Sequence, residues 1–147
     1  MTVTDLASLA SPLRELVTAA RAVRERAWCP YSGFAVGAAL RDAEGRLFRG
    51  VNLENASYGA TLCAERGALA AALADGAQRI VAMAVVADAP SGGPVTPCGI
   101  CRQVLGEAAS RSGGAIVVLL ARSDGETVWQ TDTAALLPDA FDSSSLG

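Results

Sequence analysis

The sequence predicts an α/β protein, a three-layer α/β/α sandwich around a mixed sheet of five strands. Three observations carry that expectation. Segments with helical spacing alternate with strand-like runs along the chain. Two runs, residues 80–87 and 115–121, are apolar without a break, as in strands buried on both faces. No internal repeat, linker or low-complexity tract divides the 147 residues. A single domain over residues 1–147 is therefore expected, with a loose tail at 143–147.

Each element has its own signal. Ser11-Pro12 opens the first helix, Ser as N-cap and Pro at the first helical position. Leu13, Leu16, Val17, Ala20 and Val23 then give one apolar face, which extends to about Trp28, and Pro30 stops the helix. Residues 34–40 and 47–51 flank an Asp-Ala-Glu-Gly turn and predict a strand hairpin. Residues 63–74 are good helix formers and end at Gly76. The strand at 80–87 leads into a loop, 88–97, that holds three Pro and two Gly. A helix over 100–110 stops before Gly113-Gly114, and the second buried strand follows at 115–121. Ser123-Asp124-Gly125 turns the chain into a strand at 127–130, and residues 133–137 form a last helical turn ended by Pro138.

Composition removes several classes of function. Hydrophobic residues make up 51% and charged residues 18%, which argues against disorder. The net charge is −3 and no basic stripe is visible, so the phosphate-neutralising attraction behind nucleic-acid binding is missing and a free small molecule is the better substrate. All twelve basic residues are Arg, which excludes Lys Schiff-base and P-loop chemistry. His is absent, which removes the commonest general base and every His-containing metal site. Residues 1–10 lack the basic start and apolar run of a secretory signal, and no stretch reaches the roughly 18 apolar residues of a membrane span. A soluble, cytoplasmic protein that contacts neither membrane nor nucleic acid is expected.

The chemistry must then run on Cys, Asp, Glu and backbone. Two segments supply it: Cys63-Ala64-Glu65-Arg66, and Pro97-Cys98-Gly99-Ile100-Cys101-Arg102-Gln103. Each cluster falls at the start of a helix, where unpaired N–H groups and about half a positive charge favour thiolate, the form that binds metal. Cys63, Cys98 and Cys101 offer three ligands to one Zn²⁺ and leave a fourth position open, as catalytic sites do. A closed structural zinc would need a fourth ligand, and only Cys29, in an isolated Ala-Trp-Cys-Pro context, remains. A redox pair at Cys98 and Cys101 would give Cys63-Ala-Glu no role. Three thiolates on a dication leave a charge of −1, and Arg66 and Arg102, each one residue past a key site residue, are placed to offset it. Glu65 can reach a zinc-bound water and shuttle its protons.

Cys-Ala-Glu followed by Pro-Cys-x-x-Cys resembles the zinc deaminase signature. The likeness to the small, homotetrameric cytidine deaminases runs from about Cys29 to Phe141. It includes Cys-Pro-Tyr-Ser at 29–32, Phe-x-Val-Gly-Ala-Ala-Leu at 34–40, Asn-Leu-Glu-Asn-Ala at 52–56 and Leu-Leu-Pro-x-x-Phe at 136–141. The resemblance implies hydrolytic deamination of cytidine and deoxycytidine in pyrimidine salvage, with one zinc per chain. It implies that Asn52 and Glu54 hydrogen-bond the ribose hydroxyls and that the Ala64 backbone contacts the pyrimidine edge. It also implies that Phe34 packs against the base or sugar and that Phe141 reaches a neighbouring subunit's site in a homotetramer. A deaminase of a modified cytosine nucleoside, such as an aminoacylnucleoside antibiotic, is the alternative; the Asn-Leu-Glu-Asn block favours an unmodified hydroxyl pair. Two positions depart from the family pattern. Gly67 stands where Thr or Ala is usual, and Ile100 stands where a small residue is usual, so that it either narrows the pocket or changes subunit packing.

Overall fold

The structure is a computed structural model that describes residues 1–142 and Leu146. The expected loose tail, 143–147, lies outside the described residues apart from Leu146. The strands are β1 (Thr2–Asp5), β2 (Gly37–Asp42), β3 (Leu47–Val51), β4 (Ile80–Val86), β5 (Val117–Ala121) and β6 (Thr127–Asp132), and the helices are α1 (Ser11–Arg24), α2 (Ala64–Ala74), α3 (Gly99–Ser112) and α4 (Thr133–Leu136). They form one mixed sheet in the order β1-β6-β5-β4-β2-β3, in which β4 and β5 run parallel and the other neighbours antiparallel.

Period-two alternation along the central strands sorts the side chains into two cores. Ala38, Leu40, Met83, Val85, Val118 and Leu120 point to the face covered by α2 and α3. Ala39, Ala82, Ala84, Val86, Leu119 and Ala121 point to the other face, where they meet Leu16, Val17 and Ala20 of α1. The three expected layers follow, and α2 and α3, which carry the cysteines, share one face.

Three sequence expectations are corrected. The sheet has six strands, not five, because Thr2–Asp5 pairs with β6 from Thr2↔Gln130 to Asp5↔Thr127. Its side chains are largely exposed, so main-chain pairing holds it and no apolar alternation marks it. Helix α1 ends at Arg24 instead of near Trp28, and its N-cap is Ala10, with Ser11 inside the helix. Trp28 instead extends the hairpin edge: its N–H donates to Asn52 O (3.0 Å), and its carbonyl accepts from Glu54 N (2.8 Å). Residues 34–36 stay outside β2 because the Asn52 side chain takes their backbone groups, as described below.

Two glycines set how closely helices lie on the sheet. A Cβ on Gly37 would come 2.2 Å from Ala20 O of α1, and one on Gly50 would come 2.3 Å from both Ala64 O and Ala68 N of α2. Both contacts are to backbone and leave no room for any side chain. At Gly67 the nearest atoms to a Cβ are 3.7 Å away, which is ordinary contact.

Candidate active site

Helix α2 starts with Cys63 as its N-cap residue and α3 with Cys98 as its N-cap residue, and neither has a side-chain cap hydrogen bond. Because both helices lie on one face of the sheet, their N-termini bring Cys63, Cys98 and Cys101 together. The three sulfurs lie within 4.8 Å of one another, and Cys63 Sγ is 3.8 Å from Cys98 Sγ. No disulfide joins them. Tetrahedral zinc with sulfur at about 2.3 Å sets its ligand sulfurs about 3.8 Å apart, so the donor set fits one zinc per chain. Cys29 is half-buried and stands outside this cluster.

The thiols are not equivalent. At Cys98, burial works to raise the pKa, but the N–H groups of Cys101 and Ile100 and the neighbouring thiols outweigh it and hold the thiol below its ordinary value. Burial raises Cys63 despite its contact with Arg66. Cys101 is pushed far up, by burial first and then by the charges of Glu65 and Cys63. The helix ends therefore lower one thiol, not three. Burial first, and charge repulsion after it, raise the other two, and a cation at the centre of the cluster offsets both. Metal analysis of the purified protein is expected to give one zinc per chain. Cys101→Ser should lose most of it, and Cys29→Ala should keep it; full activity in metal-free protein would refute the assignment.

Glu65, in the first turn of α2, is 5% exposed. Burial is the largest influence on its carboxyl and holds it above the ordinary range; its own N–H, the Cys101 thiol and the Arg66 charge pull the other way. Arg66 Nη2 donates to Thr61 O (2.9 Å) and lies 3.9 Å from Cys63 Sγ. That sulfur and Cys101 raise the guanidinium's pKa further, and Arg66 Nε is buried with no partner among the described residues. Arg102 departs from the sequence expectation. Its Nε, Nη1 and Nη2 donate to Pro97 O, Leu136 O and Thr96 Oγ1, so its hydrogen bonds brace the ligand loop against α4 and none goes to a sulfur. Ile100, between the two α3 ligands, is 62% exposed.

The 52–54 segment is stitched to the cysteine cluster by backbone. Leu53 and Leu62 exchange hydrogen bonds of 2.9 and 3.0 Å, which sets Asn52 and Glu54 beside the residue that precedes Cys63. Asn52 is buried, and its amide clamps the preceding loop. Oδ1 accepts from Val36 N, and Nδ2 donates to Phe34 O, both at 2.8 Å. One lone pair and one N–H of that amide remain. Glu54 accepts from Tyr31 N (2.9 Å), Ser32 N (3.2 Å) and the Ser32 hydroxyl. A cavity of about 320 Å³, lined by Tyr31, Ser32, Glu54, Asn55, Tyr58 and Thr61, opens there. Three larger depressions, about 660 Å³ against α1, about 600 Å³ between α3 and α4 and about 460 Å³ against α2 and α3, contain no cysteine, so size does not locate the site.

Phe34 is brought to this end of the chain by Asn52. Phe141 is not. Its carbonyl accepts from Gln103 Nε2 (2.8 Å), and its ring, 60% exposed, lines the depression between α2 and α3. Sequence reasoning assigned no role to Ser32, although the residue falls inside a recognised block; the signal available was a hydroxyl directly before Gly33, a turn residue with φ of 66°.

A cluster of three cysteine sulfurs at two helix N-termini, with a buried carboxyl in the first turn of one of them and an arginine against Cys63, is the equipment of a zinc-dependent hydrolase. Comparison with known proteins narrows that class. The family model described as "Cytidine and deoxycytidylate deaminase zinc-binding region" matches residues 10–117. The cytidine deaminase of Sporosarcina psychrophila is 42% identical over 134 residues, which cover 91% of this chain and 94% of the relative. That of Halalkalibacterium halodurans is 46% identical over 126 residues, covering 86% and 91%. The crystal structure of cytidine deaminase from Burkholderia pseudomallei superposes with a TM-score of 0.80 at 45% identity, over 90% of this chain and all of that one. The chain belongs to the cytidine deaminase family.

Proposed function

We propose that the chain hydrolyses the exocyclic amine of cytidine and deoxycytidine, giving uridine or deoxyuridine and ammonia, with Glu65 as its proton carrier. The observation that carries this reading is the convergence of Glu65 and the three sulfurs on the starts of two helices that share one face. When bound by Cys63, Cys98 and Cys101, zinc supplies the Lewis acidity that makes water a nucleophile at neutral pH. Glu65 accepts a proton from the attacking water and delivers it to N3 as C4 becomes tetrahedral. Glu65 then takes the proton of the new C4 hydroxyl and passes it to the amine; the C4–N bond breaks as the C4 carbonyl forms, and ammonia leaves. A carboxyl lifted by burial suits both acceptance and return. Arg66 offsets the excess thiolate charge through Cys63. The Ala64 backbone, in the first turn of α2, contacts the pyrimidine edge.

Sugar recognition falls to Glu54 and to the open positions of the Asn52 amide, with Phe34 packing against the base or sugar. A site built to hydrogen-bond a hydroxyl leaves its polar groups unpaired when an analogue lacks it, and kcat/KM falls. Free cytosine is therefore expected to be a very poor substrate. Cytidine monophosphate is also disfavoured, because Glu54 carries negative charge and no Lys is present to receive a phosphate. Ammonia release from cytidine, deoxycytidine, cytosine and the monophosphate tests this. Equal kcat/KM for cytosine or the monophosphate would remove Asn52 and Glu54 from recognition, and release only from a modified nucleoside would replace the substrate.

We further propose a homotetramer in which Phe141 completes a neighbour's site. The exposure of Phe141, whose carbonyl is tied to Gln103 of α3, supports this. Light scattering is expected to give the mass of four chains. A stable, active monomer is the result that excludes it. No helix among the described residues is long and apolar enough to cross a membrane.

A further inference from the structure

We propose that Ser32 is the positioning residue of the sugar subsite: its hydroxyl fixes which Glu54 oxygen is offered to the substrate and, at the same time, the start of the segment that carries Phe34. The inference rests on the assignment of Glu54 to a sugar hydroxyl.

A carboxylate has about four acceptor sites. On Glu54, Oε2 takes the N–H groups of Tyr31 (2.9 Å) and Ser32 (3.2 Å), and Oε1 takes the Ser32 hydroxyl. Among the described residues, the remaining acceptor site is on Oε1. The same Ser32 oxygen accepts from Phe34 N at 2.9 Å. One small side chain therefore couples the carboxylate to the backbone of the aromatic residue beside it. These contacts hold Glu54 below the ordinary carboxylate range, with the Ser32 hydroxyl as the largest cause. An anion with one acceptor site left presents only acceptance, so it selects a hydroxyl donor. Ser32, Glu54 and Tyr31 also line the cavity of about 320 Å³, so the shared hydroxyl sits at the wall of open space rather than in the core. Without it, two N–H groups on Oε2 would still hold the carboxylate, but Oε1 would be free to turn and Phe34 N would lose its acceptor.

Cytidine and deoxycytidine share the 3′- and 5′-hydroxyls, so the hydroxyl concerned is one of these. The test uses the full chain with zinc content confirmed, and steady-state kinetics on cytidine, 3′-deoxycytidine and 5′-deoxycytidine. The wild type is expected to discriminate against one analogue. Ser32→Ala should raise KM for cytidine about tenfold, the order carried by one hydrogen bond to a charged group, with kcat within about twofold. Discrimination against that analogue should shrink by the same factor, and Ser32→Thr, which keeps a hydroxyl, should restore both. An unchanged KM in the Ala variant would overturn the proposal, as would an equal rise for all three substrates, which marks loop packing. Loss of zinc or early melting would also overturn it, because Ser32 would then be structural. A wild type that ignores both missing hydroxyls would remove the Glu54 assignment itself, a result read without any Ser32 variant, and this proposal would fall with it.

Discussion

Replacing Glu65 by Gln is expected to leave fold and zinc in place and to remove nearly all turnover, a loss of at least about 10²–10⁴-fold. Gln is nearly isosteric, so it can occupy the buried first turn of α2 without moving Cys63 or Ala64. It cannot take up a proton and give it back, and one carboxyl is proposed to serve several transfers in each turnover. Stability gives an independent sign. The Glu65 carboxyl is 5% exposed, and burial opposes its charged form, so a neutral amide relieves that cost and Tm should stay level or rise. The measurement is kcat with zinc content and Tm on the same preparation. Turnover near the wild-type value with zinc fully bound would take Glu65 out of the reaction.

The second large effect acts through the packing behind the site. Gly50→Ala is expected to lower Tm and to cost about 10²-fold in kcat/KM, although Gly50 is not itself among the residues proposed to hold zinc, carry protons or bind the sugar. The added Cβ would stand 2.3 Å from Ala64 O and Ala68 N and 2.9 Å from Gly67 C, about 1 Å short of ordinary contact with the two nearer atoms. All three atoms are backbone, so no side chain can give way and α2 itself must lift from β3. That helix carries Cys63 at its cap and Glu65 in its first turn, so the displacement reaches the sulfur cluster directly. Overpacking of this kind costs about 1–3 kcal/mol in stability. Gly67→Ala is the control. Its Cβ meets nothing closer than 3.7 Å, so removing a helical glycine should raise stability by about 0.5–1 kcal/mol, a Tm gain of roughly 1–4 °C, with activity kept. Wild-type Tm and kcat/KM in Gly50→Ala would show that the close approach of α2 to β3 does not set the site.

The sequence by itself determined the family, the cysteine cluster and most of the scaffold, because all three are written in short-range patterns. Cys-Ala-Glu and Cys-x-x-Cys each fall within one helical turn, so their side chains project from one helix start whatever packs around them. The apolar runs of β4 and β5 report burial on both faces without reference to a partner. Tertiary structure decided what depends on distant chain. Thr2–Asp5 is a strand only because β6 offers an open edge, and nothing in its own four residues says so. Arg102 precedes no sulfur contact, because Pro97, Thr96 and Leu136 reach its nitrogens instead. The Asn52 and Glu54 side chains close on residues 31–36, which lie 16 to 23 positions earlier, so their first partners are backbone groups and Ser32 rather than solvent. Cys63 meets Cys98 across 35 positions because α2 and α3 cover the same face of the sheet. Periodicity within one element records which way its side chains face; which groups they then meet is set by strand order and by how near each helix can approach, and here Gly50 sets that distance.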